Sequence, residues 1–189
     1  MTSWRTALRA VSLLAGAGLG LLLRPSAVAA GPELPKGRLL EKVVCAADAT
    51  QTYALYVPTT FDPKQRWPVL FCFDPGARGA AAVERFVPAA EKFGYIVAGS
   101  NNSRNGAWEA NAKAINAMVN DVDRFLPIDA KRLYAAGLSG GARVACQMAV
   151  IVVARGVIAC SAAFMGSETP GKVAFPFFGT AGVTDFNYT

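Results

Sequence analysis

The sequence predicts an α/β fold, a mostly parallel sheet with helices on both faces and an antiparallel hairpin at its N-terminal edge. Three observations carry that prediction. Runs of four to eight apolar residues alternate with helical stretches over most of the chain, the first two strand-like runs are separated only by a short polar turn, and Gly137–Gly141 (GLSGG) stands between a strand and a helix. The chain has 189 residues, 53% apolar and 17% charged, which suits one well-buried domain and excludes a disordered or fibrous protein.

The elements follow in order. Residues 1–30 have the layout of a signal peptide: Arg5 and Arg9 precede the apolar run VSLLAGAGLGLLL, which ends near the small-residue site AVAA. The run is short and Gly-rich for a membrane span, so an uncleaved anchor is the weaker alternative. The expected product is residues 31–189, exported to a periplasmic or extracellular compartment and meeting the membrane only in transit. After the Pro/Gly-rich lead-in GPELPKGRL, EKVVCA and TYALYVP read as two strands joined by the turn ADATQ, an opening hairpin. RWPVLFCF is then a buried strand, AAAVERFVPAAEKF helical, YIVAGS a strand and ANAKAINAMVNDVDRFL helical.

Pro88 must kink the first of those helices or begin a second piece. The second is amphipathic, with Ile115, Met118, Val119, Val122, Phe125 and Leu126 at helical spacing. RLYAAG, GVIACSAA and FPFFGTAG are further strands, with the helix GARVACQMAVIVV after the first.

The formal net charge is +6, and Arg5, Arg9 and Arg24 would leave with the leader without any acidic residue, which lowers it by three. Such a mild excess, with no basic stripe and no interleaved aromatics, argues against nucleic acid and for a small-molecule partner. Cys45, Cys72, Cys146 and Cys160 form no CxxC pair, so zinc is not expected, and no cofactor motif is present. Three of the four lie in apolar runs, which predicts buried free thiols, one disulfide being the alternative.

Ser139 is the candidate nucleophile. In Gly-x-Ser-x-Gly between strand and helix, small flanking residues permit a tight turn that presents the hydroxyl at the carboxyl end of the sheet, over a helix N-terminus. The plainer alternative is a Gly-rich turn that contains a serine, or an anion-binding loop. A phosphate loop would need Gly-Lys-Ser/Thr, which does not follow. The N–H of Gly140 is then one half of an oxyanion hole. The other half is expected from the loop FDPGARG, where Gly76, Ala77 and Arg78 have free amides and Pro75 has none, although Pro-Gly alone makes a turn. In SNNSRNGAWE, Asn101, Asn102 and Trp108 are candidates to line a substrate pocket, or belong to an ordinary Asn/Gly-rich loop. Asp185, in the turn after FPFFGTAG, is the candidate orienting carboxylate or a turn aspartate, whereas Asp121, Asp123 and Asp129 read as solvated charges.

In the order YALYVP, VLFCFDPGARG, YIVAGSNN, RLYAAGLSGGARVA and FFGTAGVTDFNY, the chain resembles an α/β-hydrolase. Within that superfamily it is similar to secreted esterases grouped with poly(3-hydroxybutyrate) depolymerases and dienelactone hydrolases. The resemblance implies Ser139 as nucleophile, Asp185 as acid, and acyl transfer from a carboxylic ester to water. It also implies a histidine after the acid, on a loop beyond an eighth strand, and the 189 residues contain no histidine. The expectation is a C-terminally incomplete chain lacking that strand and its helices. Such a chain keeps only the acceleration of oxyanion hole and binding, about 10³ to 10⁴-fold over water. Lys172 is the only lysine after Ser139, with nothing in the sequence to place it near the serine. The alternatives are a non-catalytic exported binding protein of the same fold and a serine peptidase.

Overall fold

The computed structural model describes residues 34–164 and 173–187. The leader and Lys172 lie outside them. From Pro35 on, the chain is one compact unit. It contains β1 (Leu40–Val44), β2 (Thr52–Tyr56), β3 (Trp67–Phe73), α1 (Gly79–Glu84), α2 (Val87–Phe93), β4 (Ile96–Ser100), α3 (Trp108–Phe125), β5 (Ile128–Leu138), α4 (Gly140–Ile151), β6 (Gly156–Cys160) and β7 (Phe177–Thr180). The seven strands form one sheet in the order β1-β2-β4-β3-β5-β6-β7. β1 pairs antiparallel with β2 and β2 with β4, and the remaining pairs are parallel, so the hairpin lies at the edge where the sequence puts it.

The parallel strands are hydrophobic on both faces because both are covered. β3 is buried throughout. Pro68 is tolerated there because the pairing of β3 with β5 slips between Trp67 and Val69, where no ladder bond requires its missing N–H. On one face Leu70, Cys72, Val97 and Ala136 pack under Ala82 and Val83 of α1 and Ala90 of α2. Val69, Phe71 and Phe73 point the other way and are also buried. The described helices left to cover them are α3, which packs on β4 and β2, and α4, which packs on β3, β5 and β6. Past β5 the α1/α2 face is open. A cavity of about 850 Å³ lies there, lined by Tyr134, Ile158, Phe93, Phe177 and Phe178 among others. Coverage of both faces is therefore complete only for the first half of the sheet, among the described residues.

Pro88 separates two helices rather than kinking one. Phe86 caps α2, Pro88 falls in its first turn, where an N–H has no intrahelical acceptor to lose, and Gly94 closes it in the left-handed conformation. α3 starts two residues earlier than its periodicity suggested, at Trp108. All four cysteines are free thiols, but Cys160 is only half-buried, since it ends β6 at the sheet's carboxyl edge.

Asp121 is not a solvated charge. It is 5% exposed, and its carboxylate accepts from the Ala46 N–H at 2.8 Å and the Tyr53 hydroxyl at 2.9 Å, tying the hairpin to α3. Burial, and then the Asp121 charge, push the Tyr53 phenol up, so it remains a donor. Asp121→Ala leaves the buried Tyr53 hydroxyl without its acceptor, removes that of the Ala46 N–H, and should cost about 2 kcal/mol, read as a lower urea midpoint. A midpoint unchanged from the parent would mean that the hairpin is held by packing alone. Asp129, by contrast, forms an exposed ion pair with Arg132 at 2.7 Å.

Candidate active site

At Ser139 the chain must leave β5 and enter α4 within one residue. The serine has φ 52° and ψ −124°, which is comfortable for glycine and strained for any side chain. Its N–H donates to the Cys160 carbonyl at 2.8 Å, and its carbonyl accepts from the Ala142 N–H at 2.8 Å, so strand and helix both hold it. The turn closes only because its neighbours lack side chains. A methyl group at Gly137 would strike the Gly141 carbonyl and lie 2.6 Å from the Ala142 nitrogen. One at Gly141 would strike the Phe73 carbonyl and lie 2.8 Å from the Asp74 nitrogen. The amide of Gly140 opens α4, where the first N–H groups have no intrahelical partner and the helix dipole is positive.

Ser139 and Gly140 line a cavity of about 380 Å³ together with Asn105, Trp108, Arg143 and Gln147; Arg104 and Phe186 complete its rim. Arg143 and Gln147, four residues apart, lie on one face of α4, and Ser139 immediately precedes that helix. The loop after β4 reaches the serine because it is pinned from several sides. Arg104 bridges Gly76, the Asn105 N–H donates to the Pro75 carbonyl at 2.9 Å, and Asn111 accepts from both the Ser103 hydroxyl and the Arg104 N–H. The Asn105 carboxamide then lies directly against Gly140, where any Cβ would overlap it.

The sequence-derived candidates divide. Trp108 lines the cavity beside Ser139, half-buried at the start of α3. Asn101 and Asn102 do not; the structure places their side chains on the hairpin. Asn101 donates to the Glu41 carbonyl at 2.9 Å, and Asn102 accepts from the Thr52 N–H at 2.8 Å while donating to the Thr50 carbonyl at 3.2 Å. Nor do Gly76 and Ala77 line it, because Asp74 takes their amides. The Gly76 N–H donates to the Asp74 carboxylate at 2.8 Å, and the Ala77 N–H to the Asp74 carbonyl at 3.2 Å. Asp74 itself is fully buried, and burial alone would raise its carboxyl. The Arg78 guanidinium, at 2.8 and 3.0 Å, and the loop amides outweigh that and hold it below the usual range. The loop after β3 is thus organised around an ionised carboxylate.

Asp185 stands in the turn after β7, at the same end of the sheet as Ser139 and next to Phe186. The Asn187 backbone N–H, at 2.8 Å, and then the Ser161 hydroxyl hold its carboxyl below the usual range, so it is ionised at neutral pH. Asn187 links this turn to the cavity: its carboxamide donates to the Ser161 carbonyl at 2.7 Å and accepts from Arg143 at 3.3 Å. Ala77, Ser139 and Ser161 all have positive φ and all lie in the loops leaving the carboxyl ends of β3, β5 and β6. Of these three, Ser139 lines the cavity, and a fourth residue with positive φ, Val153, follows the far end of α4. Sequence reasoning missed Asn105, Arg104, Arg143, Gln147 and Phe186. The four-residue spacing after Ser139 was a usable signal for two of these; the others depend on how loops meet.

A serine on a strained strand-to-helix turn, at the carboxyl end of a sheet ordered β1-β2-β4-β3-β5-β6-β7, defines the α/β-hydrolase fold. Neither a protein-family model nor a curated protein matches the sequence. Solved structures do match. A thermostable esterase is 15% identical with a TM-score of 0.58, covering 73% of this chain and 44% of its own. The feruloyl esterase module from Clostridium thermocellum is 11% identical with a TM-score of 0.56, covering 77% and 67%. An acetyl xylan esterase from Aspergillus awamori is 16% identical with a TM-score of 0.51, covering 65% and 51%. At these identities the likeness is one of fold, and the chain spans less than half the length of the thermostable esterase.

Proposed function

We propose that the chain carries the nucleophile of an exported serine hydrolase acting on small carboxylic esters. The observation that carries this reading is Ser139 at a strained turn, opening into a cavity with the leading amide of α4 beside it. In the proposed reaction the Ser139 hydroxyl attacks the ester carbonyl, the Gly140 N–H stabilises the developing oxyanion, the ester C–O bond breaks and the alcohol leaves with the serine's proton, and water then cleaves the acyl-enzyme to the free acid and restores the hydroxyl. The second oxyanion donor would come from a group other than the Gly76 and Ala77 amides, which Asp74 occupies. Asp185, ionised and held by Asn187 and Ser161, suits the orienting carboxylate of a triad. The base is not an imidazole of these 189 residues, since they include no histidine. Esterases among proteins of the same fold are consistent with an ester substrate.

The absent histidine favours the competing reading, a binding protein that keeps the cavity without catalysis. Two measurements separate them. The gene read past codon 189 should supply a histidine downstream of Asp185. A fluorophosphonate probe on the whole protein should then label Ser139, and the Ser139→Ala variant should not label. A folded whole protein that takes no label at Ser139 removes the hydrolase reading in favour of the binding one.

A further inference from the structure

The Ser139 cavity is charged on one side only. Arg104 and Arg143 are the ionisable residues that line it, and no carboxylate does. Among the described residues neither guanidinium forms an ion pair; Arg143 donates to the neutral carboxamide of Asn187, and Arg104 is fixed only through its backbone. The nearby acids are engaged elsewhere, Asp74 with Arg78 and Asp185 with Asn187 and Ser161. The remaining polar groups of the lining, including the carboxamides of Asn105 and Gln147, are neutral, and Trp108 supplies a flat apolar wall.

Resting on the proposed function, we infer that the substrate is an ester that carries a second, ionised carboxylate, received by Arg104 and Arg143 while its ester carbonyl lies at Ser139. A guanidinium presents paired donors that match a carboxylate, and two positive groups in a concave site with no acid in its lining raise the local concentration of an anion and repel a cation. Both arginines are exposed and hydrated, so a neutral ester would gain nothing from their charge and would rely on Trp108 and the neutral carboxamides. The carboxylate belongs either to the acyl part or to the alcohol part, since Arg104 and Arg143 both line the cavity that holds Ser139.

The test is binding, read by titration calorimetry at low ionic strength on the whole protein carrying Ser139→Ala, so that no ligand turns over. Monomethyl terephthalate carries the charge on the acyl side and 4-acetoxybenzoate on the alcohol side; methyl benzoate and phenyl acetate are their neutral counterparts. At least one anion should bind about tenfold more tightly than its neutral counterpart, and that preference should shrink with added salt. Whichever anion shows the preference identifies the side that bears the charge. Arg104→Gln and Arg143→Gln should each weaken the anion several-fold and leave the neutral ester unchanged, and Arg104→Lys should restore part of the loss. Equal binding of anion and neutral ester, no binding of either anion, or a preference that survives both glutamine variants overturns the inference. Because Ser139 is absent from the measurement, a failure of the whole protein to take the fluorophosphonate label would sink the hydrolase reading without touching this result.

Discussion

Gly141→Ala should destabilise the fold by about 3 kcal/mol or more, a loss set by backbone meeting backbone. The added methyl group would sit against the Phe73 carbonyl and the Asp74 nitrogen, the last residue of β3 and the first of the following loop. Neither atom belongs to a side chain that could rotate away, and β3 lies between β4 and β5, so relief requires α4 to move off the sheet. Gly137→Ala meets the same obstacle from the strand side, against Gly141 and Ala142. Gly182→Ala is the control: nothing lies within 4 Å of its would-be Cβ, and the change should stay within about 0.5 kcal/mol. Urea midpoints at constant slope measure all three. A Gly141→Ala midpoint equal to that of the control would show that α4 does not approach β3 as closely as described.

Ser139→Gly should stabilise the protein while abolishing the proposed ester hydrolysis. A φ of 52° with ψ −124° costs a side-chain-bearing residue on the order of 1 to 3 kcal/mol, which glycine avoids at some cost in unfolded-state entropy. The expected net gain is about 1 kcal/mol. Ser139→Ala keeps the Cβ and therefore the strain, so its stability should match the parent. Both variants lack the hydroxyl, and ester hydrolysis by the whole protein should fall by more than about 10³-fold in each. Comparing their urea midpoints separates backbone strain from the loss of the oxygen. Equal midpoints for Ser139→Gly and Ser139→Ala would show that the turn stores no strain, and undiminished hydrolysis by either would remove Ser139 from the reaction.

Much of the fold was legible because buried parallel strands and amphipathic helices write their periods directly into residue order. Runs such as VLFCF and YIVAG have no polar face to offer water, and Gly-x-Ser-x-Gly between a strand and a helix leaves few other conformations. The errors share one cause, the destination of polar side chains. Asp121 on a helix reads as solvated until the Ala46 amide arrives from the turn after β1 and the Tyr53 hydroxyl from β2. Asn101 and Asn102 read like Trp108, as loop residues at the right end of a strand. Their carboxamides go to the hairpin backbone, which is 50 or more residues away in the chain.

The same division runs through the site. Ser139 and Gly140 were readable from local sterics, since the turn needs Gly137 and Gly141 whatever surrounds it. That the amides of Gly76 and Ala77 serve Asp74, and that Asn105, Arg104 and Arg143 share a cavity with the serine, was decided only in three dimensions. Hydrogen bonds of short reach join the loop after β3 to the loop after β4, and α4 to the turn after β7, and residue type does not say which acceptor a donor will meet. Backbone conformation is a property of neighbours along the chain; the electrostatics of a cavity is a property of neighbours in space.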